Sequence, residues 1–240
     1  STWKKHQFSI EDIVIQSKEV YIDEGADRRT FRIIGQDGEI KDIIGYRGDG
    51  TETGRRALPV EECRVLLNLS MPSRGYTILD PFAGGGGIIY QAKKLGLQVF
   101  SNDIDPTVAP GLISYGSTHT TNDIRDLYFD EQLDMISTEV PFSPNVTDIV
   151  CEGLINISTY LKDGGMVSIM CADHQSEQIK KAMKSAKMKL CGENNIDRKG
   201  TPVTILNYTN SYEQYCEIQK LNKTLETLRF RGQSKEYELC

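Results

Sequence analysis

The sequence predicts an α/β fold: an open, mostly parallel sheet with an antiparallel closing strand, preceded by a small N-terminal β-ribbon. Three observations carry that expectation. From Tyr76 onward, short apolar runs alternate with amphipathic stretches of helical spacing. A glycine-rich turn, Asp80-Pro81-Phe82-Ala83-Gly84-Gly85-Gly86-Gly87, joins an apolar run to a helical one. Two strand-like runs then close the domain with no helix between them, which requires an antiparallel pair.

Taken in order, Val20-Tyr21-Ile22 and Thr30-Phe31-Arg32-Ile33-Ile34 read as short strands. The Asp37-Gly38 turn signal then leads into a returning strand over Ile40 to Tyr46. A glycine- and charge-rich loop, Gly48 to Gly54, follows. Pro59 opens a helix running to Leu69, with acidic residues in its first turn. Strands are expected at 76–79, 97–102, 133–137 and 165–171, and helices at 87–95, 106–115, 146–160 and 176–186. The closing runs are Lys187 to Cys191 and Val203 to Tyr208, joined by a polar loop that contains Gly200-Thr201-Pro202. Ser211 to Arg229 has helical spacing in Tyr212, Tyr215, Ile218, Leu221, Leu225 and Leu228. The expected organisation is an N-terminal β-rich extension over 1–54, a main domain over 55–210, and a C-terminal helix and tail over 211–240.

Composition narrows the function class. A chain of 240 residues buries one substantial core. No run approaches the roughly 18 to 20 apolar residues of a membrane span. Ser1 to His6 has no apolar core, so no signal peptide and a cytoplasmic location are expected. The six cysteines lie far apart with no CxxC pair, which suits reduced structural thiols and offers no zinc site. Three glycosylation-type triplets, at Asn145, Asn156 and Asn222, read as chance matches without a secretory signal. The net charge of −6 neither establishes nor excludes a nucleic-acid substrate. The basic clusters (Arg28-Arg29 with Arg32, Arg55-Arg56, Lys180 to Lys189, Arg229 with Arg231) read as solvated surface before phosphate track, with Arg55-Arg56 suiting a phosphate or substrate contact equally well. His6, His119 and His174 are scattered and receive no catalytic role.

Strand, glycine-rich turn and helix together present backbone N–H groups to a cofactor at a helix N-terminus. The dinucleotide pattern G-x-G-x-x-G fails: its third position is Ile89 counted from Gly84, or Tyr90 counted from Gly85. The phosphate-loop pattern fails too, because no Lys-Ser or Lys-Thr follows the glycines. Asp80, Pro81, Phe82, Gly84 and Gly86 instead resemble the D-P-F-x-G-x-G form of the class I S-adenosylmethionine-dependent methyltransferases. That resemblance implies a Rossmann-like methyltransferase sheet, an enzyme, and S-adenosyl-L-methionine as cofactor. Asp103 then matches the acid that accepts the ribose hydroxyls, flanked by Ile104. Asp105 matches a second acid of the family pattern or caps the helix after Pro106. Asp123, followed by Ile124, resembles the acid that binds the adenine amino group. It equally suits an Asp that begins a loop turn.

The expected fourth strand ends in Glu139-Val140-Pro141-Phe142. In the amino-group branch of the family this place holds D/N-P-P-Y/F, where a side-chain oxygen and a backbone carbonyl accept the amine hydrogens and the aromatic ring stacks the base. Pro141 and Phe142 agree, while Glu139 and Val140 depart. The alternative for Pro141-Phe142 is a strand-ending turn that packs one aromatic. With the helix that opens at Pro59, the arrangement resembles the THUMP-associated RNA guanosine-N2 methyltransferases over about residues 55 to 208. The resemblance implies methyl transfer to an exocyclic amine of a nucleic-acid base, RNA before DNA, with Glu139, Pro141 and Phe142 at the acceptor. The ribbon is short for a complete THUMP module, so RNA capture is expected to fall to a protein partner subunit or to a segment missing from this sequence. Two alternatives remain: a methyltransferase of a small molecule or protein, and a non-catalytic methyltransferase-like subunit.

Overall fold

The computed structural model describes residues 58–198 and 200–223, together with the backbone of residues 3–5, 17–23, 30–35 and 40–44. Expectations that rest on the loop 48–54, Arg28, Arg29, Arg55, Arg56, Arg229, Arg231, His6, Leu225, Leu228 or Cys240 lie outside the described residues.

Four N-terminal strands, β1 (Trp3–Lys5), β2 (Ser17–Asp23), β3 (Thr30–Gly35) and β4 (Ile40–Ile44), pair antiparallel in the order β1-β2-β3-β4. The strand over residues 3–5 is additional to those read from the sequence.

The main unit begins with helix α1 (Val60–Leu69), whose first turn carries Glu61 and Glu62 and whose inner face buries Cys63, Leu66 and Leu67. Then come β5 (Thr77–Asp80), α2 (Gly87–Lys94), β6 (Gln98–Asn102), α3 (Ala109–Ser114), β7 (Thr118–Thr120), β8 (Leu133–Glu139), α4 (Thr147–Ser158), β9 (Leu161–Ala172), α5 (Ser176–Ser185), β10 (Lys189–Arg198) and β11 (Thr201–Thr209). A last helix, α6, is described over residues 212–223. Strands β5 to β11 form one sheet in the order β10-β11-β9-β8-β5-β6-β7. Neighbours are parallel from β9 through to β7, and β11 runs antiparallel to both β9 and β10.

The sheet separates two cores because successive strand residues point to opposite faces. Ile78, Met135, Met170 and Ile205 join α1, α2 and α3 on one face. Leu79, Ile136, Ile169 and Leu206 join α4 and α5 on the other. All four residues of β5 are buried, as a strand covered on both faces must be. Helix α2 ends as the sequence predicts: Leu97 N–H donates to the Ala92 carbonyl at 3.2 Å and Gly96 N–H to that of Lys93 at 3.0 Å, a Schellman pair.

Three local differences from the sequence reading have physical causes. The expected helix 106–115 divides into a single 3₁₀ turn, Pro106–Val108, and the short α3, with Pro106 and Pro110 each at the start of its segment. β7 is only three residues, Thr118-His119-Thr120, all of them polar, and too short to leave a periodic signal. The expected polar loop between the closing runs is a continuation of both strands, so that Arg198 pairs with Thr201 at the tip of a long hairpin. Its polar residues fit an edge strand with one face in water.

A buried polar chain fixes α1 against the sheet. Asn207 Nδ2 donates to the Leu69 carbonyl at 3.0 Å and to Ser168 Oγ at 2.9 Å. Ser70 Oγ donates to Ser168 Oγ at 2.9 Å and lies 3.0 Å from Ser137 Oγ. Replacing Asn207 by Ala removes the donor to the Leu69 carbonyl and one of the partners of Ser168 Oγ in a buried layer. Urea unfolding of Asn207→Ala should show a loss of about 1–3 kcal/mol with an unchanged m value.

Candidate active site

At the centre of the sheet the chain switches direction, β6 and β7 lying to one side of β5 and β8 and β9 to the other. Such a switch opens a crevice at the carboxyl ends of the strands. A cavity of about 650 Å³ lies there, within the range of small-molecule sites. It is lined from the ends of β5, β6, β7 and β8, from the start of α4, and by Arg198 at the tip of the hairpin.

The glycine loop forms its floor. Gly84 has φ +48, and a Cβ placed on it meets nothing closer than the Phe82 carbonyl oxygen at 4.0 Å, so a bare backbone faces open space. Pro81 and Phe82 line the same wall. Gly86, with φ +81, does not line the cavity; a Cβ there meets Leu112 and Tyr115 at 3.0 Å, so its glycine serves the packing of α2 on α3. Asp80 also stays out of the lining. It is 2% exposed, accepts from Thr138 Oγ1 at 2.8 Å and Phe82 N–H at 3.3 Å, and anchors the loop from beneath. Burial pushes its carboxyl up to about 7 against the lowering effect of those bonds, with Asp103 and Glu139 adding repulsion.

Asp103 sits at the cavity wall with each oxygen holding one backbone N–H: Gly84 donates at 2.8 Å and Asp105 at 2.9 Å. Both oxygens keep lone-pair capacity toward the cavity. Of the two readings of Asp105, the structure gives the cap: its Oδ1 accepts from Thr107 N–H at 2.9 Å, and the residue also lines the cavity. Ile104 is 71% exposed, an apolar side chain standing at the opening. Asp123 likewise begins a turn, accepting from Arg125 N–H at 2.9 Å, and still lines the cavity beside Ile124. The guanidinium of Arg125, 2.8 Å from Asp123 Oδ2, holds this carboxyl well below the usual range, at about 2.

On the opposite wall stand Glu139, Val140, Pro141 and Phe142. The Glu139 carboxylate pairs with the Arg198 guanidinium, which also reaches Glu62 of α1 at 3.1 Å. Phe142 is half-buried, packed against the core of the α1–α3 face with one side on the cavity.

Of the sequence-predicted site residues, Pro81, Phe82, Gly84, Asp103, Ile104, Asp123, Ile124, Glu139, Pro141 and Phe142 meet around one cavity, while Asp80 and Gly86 stand behind it. Sequence reasoning missed several groups. Asn102, 2% exposed, donates to the carbonyls of Pro81 at 3.2 Å and Asn122 at 3.0 Å. Its Oδ1 accepts from Thr120 Oγ1 and Asn122 N–H at 3.0 Å each. One amide thus ties the glycine loop to the loop after β7; its position directly before Asp103 was the available signal. Arg198 lies at a hairpin tip 59 residues from Glu139, so no local pattern joins them. Helix α4 closes the wall through Asn156, which donates to the Ile124 and Leu127 carbonyls at 3.3 and 2.9 Å, and through Gly153 one turn earlier. Among the described residues no cluster of metal-ligating side chains is present.

Two outcomes are expected. A Cβ at Gly153 falls 2.2 Å from Ile124 Cγ2, so Gly153→Ala displaces a cavity-lining residue. It should weaken binding of the cofactor that the sequence resemblance implies, measured with S-adenosylhomocysteine, at least tenfold by calorimetry while the protein stays folded. The second concerns pH. The folded Asp80 holds its proton up to about 7, whereas a solvated Asp releases it near 3.8. The folded state therefore binds the extra proton between those values, and this contribution to stability, complete below 3.8, is lost as pH rises to about 7. Asp80→Asn should remove that part of the slope from the stability–pH curve of the cofactor-free protein.

No protein-family model matches the chain. In sequence it is 35% identical over 125 residues, 46% of this chain, to the tRNA (guanine(10)-N2)-dimethyltransferase of Methanothermobacter thermautotrophicus, and it spans only 37% of that relative's length. In structure it resembles TrmN from Thermus thermophilus, with a TM-score of 0.56 and 21% identity over 63% of this chain and 49% of the other. It also resembles the N-methyltransferase NodS from Bradyrhizobium japonicum WM9 in complex with S-adenosyl-L-homocysteine, with a TM-score of 0.53 and 13% identity over 62% of this chain and 86% of the other. The described main unit thus has the Rossmann-like fold of the class I S-adenosylmethionine-dependent methyltransferases, and part of its sequence is similar to a tRNA guanine-N2 methyltransferase.

Proposed function

We propose that this protein is an S-adenosylmethionine-dependent methyltransferase acting on an exocyclic amine of a nucleic-acid base, RNA before DNA, with guanine N2 as the acceptor. The observation that carries this reading is that the glycine loop, Asp103 and Asp123 line one wall of the same cavity whose other wall is Glu139–Phe142. The relative's name points to the same base and the same nitrogen.

The residues present suit the cofactor. The bare backbone at Gly84 admits a chain-like ligand, the Asp103 oxygens are disposed for a ribose diol, and Asp123 with Ile124 offers a carboxylate beside an apolar face for an adenine. Asp80 acts through the loop it anchors. When bound, S-adenosyl-L-methionine supplies a methyl group on a sulfonium, a strong electrophile.

The rest is positioning. An exocyclic base amine is a weak nucleophile, so alignment provides much of the rate. Phe142 offers an aromatic face for stacking. Glu139 accepts from the amine, and its pairing with Arg198 sharpens the choice of base. The Watson–Crick edge of guanine carries donors at N1 and N2 and an acceptor at O6. A carboxylate beside a guanidinium complements that edge, whereas adenine turns the N1 lone pair toward the carboxylate.

We read residues 55–210 as the catalytic unit, with 1–54 and 211–240 as extensions, and a protein partner as an aid to RNA capture. Among the described residues no helix is long and apolar enough to cross a membrane; we place its action in the cytoplasm, where a tRNA substrate is met. Incubation with methyl-labelled cofactor and bulk tRNA, rRNA or DNA should label tRNA, with the label recovered on guanosine N2 after digestion to nucleosides. Glu139→Ala should lower transfer by about 10²–10³-fold and leave S-adenosylhomocysteine binding intact. Label that resists nuclease would instead point to a small-molecule or protein substrate. Cofactor binding without transfer to any of these would point to a non-catalytic subunit.

A further inference from the structure

The end of the β8–β9 ladder holds a side chain the mechanism above does not use. Val140 N–H donates to the Met170 carbonyl at 2.9 Å, a regular parallel bond. In a parallel ladder the next bond runs from the Ala172 N–H back to the Val140 carbonyl. Here that N–H donates instead to Gln175 Oε1 at 3.1 Å. The other end of the same amide donates through Nε2 to the Pro141 carbonyl at 3.0 Å and to Thr147 Oγ1 at 3.2 Å. Gln175 is fully buried and lies in the 3₁₀ turn that follows β9.

These bonds have one joint consequence. The Gln175 amide replaces the Val140 carbonyl as acceptor for Ala172 and ties down the carbonyl after it. The Val140 carbonyl, next in the chain to Glu139, is thereby released from the sheet at the cavity wall. We infer that Gln175 is a positioning residue for methyl transfer: by ending the ladder one bond early it leaves the Val140 carbonyl to accept one hydrogen of the acceptor amine while Glu139 accepts the other. Its bond to Pro141 holds the turn that carries Phe142, and its bond to Thr147 joins that turn to the start of α4. The inference rests on the amine-methyltransferase reading for its chemical role, and on the hydrogen bonds alone for the release of the carbonyl.

Gln175→Met keeps the length of the side chain and removes both hydrogen-bonding ends. In the deuterated, isotope-labelled full chain, the through-hydrogen-bond coupling between the Ala172 nitrogen and the Val140 carbonyl carbon should be absent in the wild type and appear in the variant. A coupling already present in the wild type overturns the inference, whatever the protein methylates. In single-turnover reactions with saturating bulk tRNA, the variant should transfer methyl at least tenfold more slowly, with S-adenosylhomocysteine affinity within about twofold of wild type. An unchanged rate overturns the proposal. So does a loss of rate matched by an equal loss of cofactor affinity or folded fraction, since that marks a merely structural role. Gln175→Glu, which keeps an acceptor for Ala172 and loses the donor to Pro141, should retain a rate between the two and carries the comparison if Gln175→Met folds poorly. Wild-type protein that binds S-adenosylhomocysteine yet labels no nucleic acid counts against the proposed function, and the coupling measurement still decides whether Gln175 releases the carbonyl.

Discussion

Strands of a parallel sheet must end, and where they end their N–H and carbonyl groups lose ladder partners in a region too enclosed for water to satisfy them all. The candidate site of this protein is largely the answer to that constraint. Asn102 takes over for β5, β6 and β7 at once, bonding the Pro81 carbonyl and both backbone groups of Asn122. Asp103 satisfies the Gly84 and Asp105 N–H groups. Asp80 and Gln175 do the same beneath the glycine loop and at the end of β9. Each residue is polar because the fold demands it there. Each also sets the position of a wall of the cavity or of the loop behind it.

Charge follows the same economy of placement. Two of the acids assigned to ligand donors already hold a guanidinium, Asp123 that of Arg125 and Glu139 that of Arg198. Each of these carboxylates is thus already partnered by an arginine. Asp80 lies deeper, and its carboxyl is raised chiefly because burial strips it of water, with the nearby Asp103 and Glu139 adding to the shift. The acidic balance of the whole chain is thus compatible with a nucleic-acid substrate, because recognition of a base edge depends on the local arrangement and not on net charge.

Much of the fold was legible in the residues. The apolar runs at 76–79, 97–102 and 133–137 and the helical spacing of 87–95, 146–160 and 176–186 each became an element within a few residues of the expected bounds. Their signal is strong because the central strands are covered on both faces by helices and are therefore largely apolar. The closing hairpin was read too short, since an edge strand such as β10 tolerates Asn194, Asn195 and Asp197 with one face in solvent. Asp105 and Asp123 stood open between ligand and cap; the structure gives both as caps that also face the cavity. No local pattern distinguishes those roles, because an Asx cap and a ligand acid use the same side chain.

The sequence by itself determined the alternation of strand and helix, the glycine turn with its acid at the end of the following strand, and the departure at Glu139-Val140. These are local properties, encoded in periodicity and in residues a few positions apart. The tertiary structure alone decided that Asp80 and Gly86 stand behind the cavity wall, that Arg198 crosses from a hairpin tip to Glu139 and Glu62, and that Gln175 ends the β8–β9 ladder. Those facts join residues dozens of positions apart. They depend on which strand lies beside which and on where each ladder stops, which only the packed sheet sets.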